Sequence, residues 1–484
     1  MAKKVKPSHW LILVILALAQ FMVVLDVSIV NVMLPTVQHD FHMTNATLQW
    51  VITAYTIAFG GFLLFGGRAA DLFGRKKVFL CGVAAFGVFS LLDGLSQSGS
   101  MLIILRGFQG LSGAFMSPAA LSIVLVTYRE GHERNLALSV WGAVAAGGAA
   151  VGVLLGGIVT QYLGWRWNFF INVPVAIFVF TMAFRLVPSH EAEERENSLD
   201  LLGAVTITGA LMMLVYALTK APDNGWTSST TIGFLIGTAA LLAVFLINEA
   251  RVKHPLVPLK IFKTRNLAAA DIIQLCLAAG LFSTFFFSTL YFQEVLGYSP
   301  VKTGLAFLPV PISIAIMATN APKIIKRIGY KPILVVAPLI TASGLFLLAH
   351  VPLNGGYFVH LMPGMILMGL GLGLTFVSVL VAATSGVAGH LSGLASGLVT
   401  TAQQIGGSLG LAILTGIAAS AVTRYVSHLG HAPMPIDLAK ASVHSDHVAY
   451  YLASSFSIFA ALIAIFFIRQ VKSSDKDTPV VADF

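Results

Sequence analysis

The sequence predicts an all-α integral membrane protein with fourteen spanning helices, and three observations predict it. Of its 484 residues, 57% are hydrophobic and only 10% are charged, against roughly 25% charged in a soluble domain. The mean hydropathy is +0.86, and apolar runs of about 20 residues, the length that crosses a bilayer, recur along the whole chain. The lysines and arginines gather in alternate loops, as cationic side chains do when one side of a membrane retains them. No stretch is polar enough to form a separate soluble domain.

Taken in order, the helices are expected near 10–34, 49–70, 78–96, 101–125, 136–162, 169–186, 201–218, 231–248, 267–291, 303–319, 333–348, 358–382, 391–421 and 449–468. The first follows Lys3, Lys4 and Lys6 and resembles a secretory signal, but its apolar run continues to Leu34, too long for a signal core. An even number of spans puts both termini on one side. With that side cytosolic, 23 of the 29 Lys and Arg residues fall there; Arg166, Lys220, Lys302, Arg424 and Lys440 lie opposite, and Arg106 is inside a span. The net charge of +9 is therefore the mark of cytosolic loops, not of a nucleic-acid surface. Cys81 and Cys276 both sit inside apolar runs and read as small core residues, so no disulfide is expected.

Residues 67–80, G-R-A-A-D-L-F-G-R-K-K-V-F-L, set Asp71, Arg75, Lys76 and Lys77 between two apolar spans, which places them in a loop at a membrane face. Gly67 and Gly74 allow a tight chain reversal, and Asp71 can cap a helix against the positive end of its dipole. The spacing resembles the signature loop of the major facilitator superfamily, G-x-x-x-D-x-x-G-R-[KR]-x-x-x-[LV], with Gly67, Asp71, Gly74, Arg75, Lys76 and Leu80 in register. The resemblance implies a major facilitator fold, two six-helix bundles related by an axis along the membrane normal, so fourteen spans means two extra helices. The acidic run 190–200 and the basic run 251–265 then divide the chain into an N-terminal six-helix bundle (1–189), a linker with two additional helices (190–266), and a C-terminal six-helix bundle with a cytosolic tail (267–484). A degenerate internal repeat places Gly329 and Lys331 where the first half has Gly74 and Lys76, with Lys326 in the position of Asp71.

Two ionisable residues interrupt the spans. Asp26 lies in L-D-V-S-I-V-N-V-M-L-P and Arg106 in L-I-I-L-R-G-F-Q-G-L-S-G-A, where a charge is costly unless paired or hydrated. At 1.5 Å per residue, Asp26 is about 12 Å inside Leu34 and Arg106 about 9 Å inside Ser100, so their depths match. They are expected to share a polar cavity and interact there; a static ion pair that only fixes packing is the alternative. Arg106, Gln109, Gly110, Gly113 and Ser117 fall on one small, polar helix face. Gly148, Gly152 and Gly156 form a groove for close helix approach.

These segments resemble the fourteen-helix drug/proton antiporter branch of the superfamily, the EmrB/QacA type. Asp26, Asn31 and Pro35 keep the first-helix pattern L-D-x-T-[IV]-V-N-V-A-L-P, with Ser28 in the threonine place. Leu102, Arg106, Gly107, Gln109, Gly110, Gly113 and Ala114 meet the motif associated with proton coupling. Gly148, Gly152, Gly156 and Gly157 resemble the antiporter motif G-x-x-x-G-P-x-x-G-G, in which Val153 replaces the expected proline. The segments Gly164–Pro174 and His254–Leu259 are also typical of the branch.

The resemblance implies a proton-coupled exporter of amphipathic or cationic compounds in a bacterial inner (cytoplasmic) membrane, multi-pass, with both termini cytosolic. Asp26 and Arg106 would respond to protons, and the loop at Gly67, Asp71, Gly74, Arg75 and Lys76 would lock the outward-facing state through cytosolic charge contacts. Asn31, Gln109, Ser117, Gln274 and Phe282 are candidate cavity or substrate residues, while Gly148, Gly152, Gly156 and Gly157 serve helix packing. The expected partners are the lipid bilayer, a small-molecule substrate and protons; a monomer, no nucleic acid, no metal and no cofactor are expected, with the proton gradient as energy source. Export of one specific metabolite and proton-coupled uptake are the alternatives on the same fold. The chain carries no phosphate-cradling G-x-x-x-x-G-K-[ST] loop and no H-E-x-x-H or Ser/His/Asp constellation, so ATP hydrolysis and enzymatic catalysis have no support. His39/His42, His428/His431 and His444/His447 are expected on outer loops, as a solvated surface rather than a metal site or pH sensor.

Overall fold

The computed structural model describes residues 9–128, 132–188, 200–387, 391–429, 431 and 433–470. These residues form fourteen long helices and no strand: α1 His9–Phe41, α2 Trp50–Phe73, α3 Arg75–Gly94, α4 Gly99–Thr127, α5 His132–Tyr162, α6 Asn172–Leu186, α7 Leu201–Asn224, α8 Ser229–Arg251, α9 Arg265–Leu290, α10 Pro309–Ile328, α11 Tyr330–Leu348, α12 Met362–Thr384, α13 Ser392–Ser427 and α14 Pro435–Phe467. Thirteen spans among the described residues are long and apolar enough to cross a membrane; α5, 31 residues long, has a shorter apolar stretch at Gly147–Tyr162. Every anticipated span has its helix. Several outrun their apolar segments: α1 continues through Pro35 to Phe41, and α14 starts at Pro435, well before Ala449. Hydropathy marks the hydrocarbon layer, whereas a helix satisfies its backbone wherever it runs.

The ends are capped differently on the two faces. On the face remote from the chain's ends, Thr44, Ser98, Ser228 and Ser299 each accept a backbone N–H at the start of a helix. On the other face, the α2/α3 and α10/α11 junctions are single glycines, Gly74 at φ 94° and Gly329 at φ 81°, a region that side chains disfavour. The charged segment 67–80 is thus not a loop. Gly67 lies inside α2 with ordinary clearance from Pro118, so the reversal rests on Gly74 alone. Asp71 caps neither helix; it pairs with Arg75 at 3.2 Å across the glycine and is largely exposed. Helix ends at the interface hold these charges in water without a longer loop. Lys76 reaches the Phe184 carbonyl of α6 at 2.9 Å.

Helices α1–α6 pack as one group and α9–α14 as another, while α7 pairs with α8 and rests on α2 and α13. Asp200 caps α7 through Gly203 N at 2.8 Å and accepts Asn248 Nδ2 of α8 at 2.8 and 2.7 Å. Arg68 of α2 donates to the carbonyls of His254 and Pro255 at 3.0 and 2.5 Å, which anchors the basic segment after α8. The rest of the acidic run (190–199), the N-terminal lysines and the tail beyond 470 lie outside the described residues.

Helix α1 serves two cores. From Ile12 to Val23 it packs inside its own group with Phe79, Phe86, Ile123 and Val179; from Leu25 to Val37 it joins a core shared with Phe286, Phe292, Leu345 and Leu411 of the other group. Bonds between the groups lie toward the remote face: Gln293 Nε2 to Val32 O at 2.8 Å, Val301 N to Gln161 Oε1 at 3.2 Å, and Thr415 Oγ1 to Gln49 Oε1 at 2.7 Å. The two groups are sealed against each other there.

Candidate functional site: a buried ion-pair network

Asp26 and Arg106 meet inside the first helix group, 0% and 1% exposed. Arg106 Nη1 donates to Asp26 Oδ2 at 2.6 Å and also to Gln109 Oε1, while Nε donates to the Val51 carbonyl at 3.1 Å. The other carboxylate oxygen, Oδ1, accepts Gln109 Nε2 at 3.0 Å and Asn172 Nδ2 at 2.9 Å. Gln109 Nε2 lies 2.7 Å from Ser90 Oγ as well. The guanidinium sits 4.3 Å above the Tyr55 ring and 5.7 Å from that of Phe169. Three side-chain donors converge on one carboxylate, and a planar fork serves three acceptors while facing two aromatic rings. Such charge-assisted bonds offset the desolvation that a buried pair costs.

Small residues bring these helices close enough. A Cβ on Gly110 would collide with the Tyr55 backbone of α2, and one on Gly113 would lie 3.0 Å from the Phe59 ring. Along α5, a Cβ on Gly152 would lie 2.6 Å from Ser28 Cβ, and one on Gly156 would lie 2.9 Å from Ile29 of α1; Gly148 faces Val24 and Phe21. Gly157 instead faces the Pro300 and Val301 backbone of the second group. Helix α5 passes unbroken through Val153, whose carbonyl abuts Gly304 across the groups.

The paired depths of Asp26 and Arg106 hold, and the predicted polar face of α4 holds, but not the shared cavity. That face packs directly onto α1 and α2, because Gly110 admits the Tyr55 backbone and Gly113 the Phe59 ring. Ser117 donates to Gln20 Oε1 at 2.9 Å, apart from the network. Asn31 bonds the Val27 carbonyl of its own helix at 2.9 Å. Gln274 is 2% exposed with Oε1 unbonded, and Phe282 packs against Gly407; neither joins the Asp26 network. A cleft of about 580 Å³ lined by Arg424, Tyr425, His428 and His444 lies between α13 and α14, away from it.

The histidines are not all on loops. His39 belongs to α1, His428 caps α13, and His444 and His447 lie within α14, where His447 Nε2 is 2.7 Å from the Val351 carbonyl. No group of three or more metal-ligating side chains occurs among the described residues. Sequence reasoning missed Ser90, Asn172 and Tyr55, and also Asp93, which lies close enough to Arg106 and Asp26 for their charges to bear on it. Its signal was an acid within the third apolar run, S-L-L-D-G-L.

Residues 16–411 match the model of the Major Facilitator Superfamily. The chain belongs to the major facilitator superfamily. Among related members, it is 39% identical over 461 residues to the puromycin resistance protein pur8 of Streptomyces alboniger, covering 95% of this chain and 91% of that protein. It is 36% identical to the tetracenomycin C resistance and export protein of Streptomyces glaucescens (87% and 78%) and 35% identical to the cephamycin export protein CmcT of Amycolatopsis lactamdurans (87% and 88%). In fold it is similar to the POT family transporter PepTSo, with a TM-score of 0.68 at 14% identity over 95% of this chain and 97% of that one. It is also similar to a D-xylose-proton symporter, with a TM-score of 0.66 at 14% identity over 95% and 98%. This major facilitator protein is thus a multi-pass membrane transporter and not an enzyme.

Proposed function

We propose that this chain is a proton-driven exporter of amphipathic or cationic drug-like compounds. The relatives' names, each a resistance or export protein, support export. The observation that carries proton coupling is the Asp26–Arg106 pair, sealed from solvent within a membrane-spanning bundle, where an ionisable group is a functional site by default. We place both termini on the cytosolic side of a bacterial inner membrane, in keeping with the Lys and Arg distribution. The sealed face is then the outer one, and this conformer faces inward. The cycle needs one chain and no cofactor: outside protons enter as compound leaves, around a cavity between the two groups. Two of the relatives are each named for one compound, which favours as a second reading an exporter dedicated to one product.

Inverted vesicles with an acid lumen test this reading with puromycin, a lipophilic cation dye and a neutral hydrophobic drug. Uphill accumulation that collapses with a protonophore is expected. Movement that ignores the gradient, or outward movement from these vesicles, would overturn it. The span of compounds accepted separates a broad exporter from a dedicated one.

Asp26→Asn should remain inserted in the membrane but lose gradient-driven accumulation, because asparagine cannot balance the Arg106 charge and turns an amide donor toward existing donors. Undiminished uphill transport in this variant would remove Asp26 from the cycle. Asp71→Asn should cost less than about 1 kcal/mol of stability, since the Asp71–Arg75 pair is at the surface, yet change the conformer ratio. Two-sided cysteine accessibility, measured after replacement of Cys81 and Cys276, reads that ratio. Transport loss with an unchanged ratio would contradict a conformational lock.

A further inference from the structure

Asp93 stands one residue before the end of α3 at Gly94 and is 0% exposed. Among the described residues, neither of its carboxyl oxygens has a hydrogen-bond partner, and neither does the equally buried hydroxyl of Ser96. Buried polar groups are nearly always bonded, so two bare carboxyl oxygens beside an ion pair require a reason. The charged groups whose fields reach Asp93 are Arg106 from α4 and Asp26 from α1; the Tyr55 ring of α2 lies under the Arg106 guanidinium. Phe170, on the short helix before α6, closes over Gly94.

We infer that the exchanged proton is carried by Asp93, and that Arg106 serves Asp26 and Asp93 in alternation. This rests on the proton-coupled reading above and names the carboxyl that does the exchanging. Asp26 accepts on both oxygens from Arg106, Gln109 and Asn172, and its ion pair with Arg106 uses up the positive charge of the enclosure. A second carboxylate with no protein donor would be an uncompensated buried charge, several kcal/mol unfavourable. The neutral acid carries no such burden. One proton therefore belongs to the trio, on an Asp93 oxygen while Arg106 holds Asp26. When Arg106 turns to Asp93, that carboxyl releases its proton and Asp26, left without its counter-charge, takes one up in its place, so the trio holds one proton in either arrangement. Uptake forms one O–H bond with a proton from water; release breaks it and regenerates the carboxylate.

Placement agrees with proton entry from the remote face. Asp93 is at the helix end nearest that face, and the loop after it is held by Arg166, whose Nη2 donates to the Ser96 carbonyl at 3.4 Å and whose Nη1 pairs with Asp40 at 3.5 Å. Asp26 lies deeper in its helix than Asp40. Asp93 is thus the carboxyl between the surface and the ion pair.

The full-length chain in lipid bilayers, without any transported compound, is a sufficient sample. Infrared difference spectroscopy should show a protonated-carboxyl C=O band at neutral pH that Asp93→Asn removes and Asp93→Glu shifts. Asp26→Asn should weaken the same band, because Arg106 is then free to turn to Asp93. Two-sided cysteine accessibility should vary with pH in the natural chain, and Asp93→Asn should reduce that variation at least about fivefold and hold the low-pH value, since the amide mimics the neutral acid. A band that survives Asp93→Asn, or undiminished pH dependence in that variant, overturns the assignment; a band left at full strength by Asp26→Asn overturns the sharing of Arg106. If Asp93→Asn fails to fold, the band shift in Asp93→Glu decides. A natural chain with neither pH-dependent accessibility nor gradient-driven transport refutes proton coupling itself, a distinct outcome.

Discussion

Arg106→Lys should abolish gradient-driven transport although it keeps the charge. The native guanidinium serves the Val51 carbonyl, Asp26 and Gln109 at once while lying over the Tyr55 ring. A lysine ammonium is a point charge on a flexible stem and cannot hold all of these positions. Each buried group left unmet costs about 1–3 kcal/mol, so the variant should also melt at a lower temperature in detergent. Arg106→Met separates charge from geometry. It strands Asp26 as a buried, uncompensated carboxylate, about 3–5 kcal/mol unfavourable, so it should melt lower still, with transport equally absent. Normal pH-dependent turnover in Arg106→Lys would show that charge balance alone suffices.

Gly74→Val should fail at every pH and in every conformation. Gly74 is the whole connection between α2 and α3, at φ 94° and ψ 125°, and a β-branched residue held there pays about 1–3 kcal/mol of strain. No neighbouring loop residue can absorb the distortion, since both flanking residues are helical. Reduced amounts of inserted protein and lost transport are expected. Gly74→Ala should show a milder form of the same defect, and Gly67→Ala little change, because the added Cβ would meet Pro118 at 3.6 Å, an ordinary contact. Equal damage from Gly67→Ala and Gly74→Val would overturn this division of roles.

Much of this was legible in the sequence. The helices were readable because hydrocarbon imposes a length and a polarity that no soluble fold shares. Asp26 and Arg106 stood out for the same reason, and their matching depths followed from the helix rise alone. What could not be read was contact. The small, polar face of α4 looked like a cavity wall, since glycine and serine spacing is the same whether the facing space holds water or the Tyr55 backbone. Asn172 and Ser90 complete the shell around Asp26 and Gln109; Asn172 lies in the branch-typical segment Gly164–Pro174, but nothing local shows which residue either one reaches. The charged segment around Gly74 read as a loop because charge and glycine usually mean one, whereas helix ends hold the same charges in the interface.

The single-glycine junctions at 74 and 329 have a mechanical consequence. One residue spans at most about 3.6 Å, so α2 cannot slide lengthwise past α3, nor α10 past α11, by more than a fraction of a helical turn. Each joined pair behaves as a bent bar with no play at the elbow. Any change of access must then come from tilting whole bars, and the strain of that tilt has to be taken up where the chain has length to spare, as between Arg251 and Arg265. Arg68 grips that segment at the carbonyls of His254 and Pro255, so a tilt of α2 pulls directly on the base of the α7–α8 hairpin. The two extra helices are in this sense geared to the first group rather than carried as passive ballast.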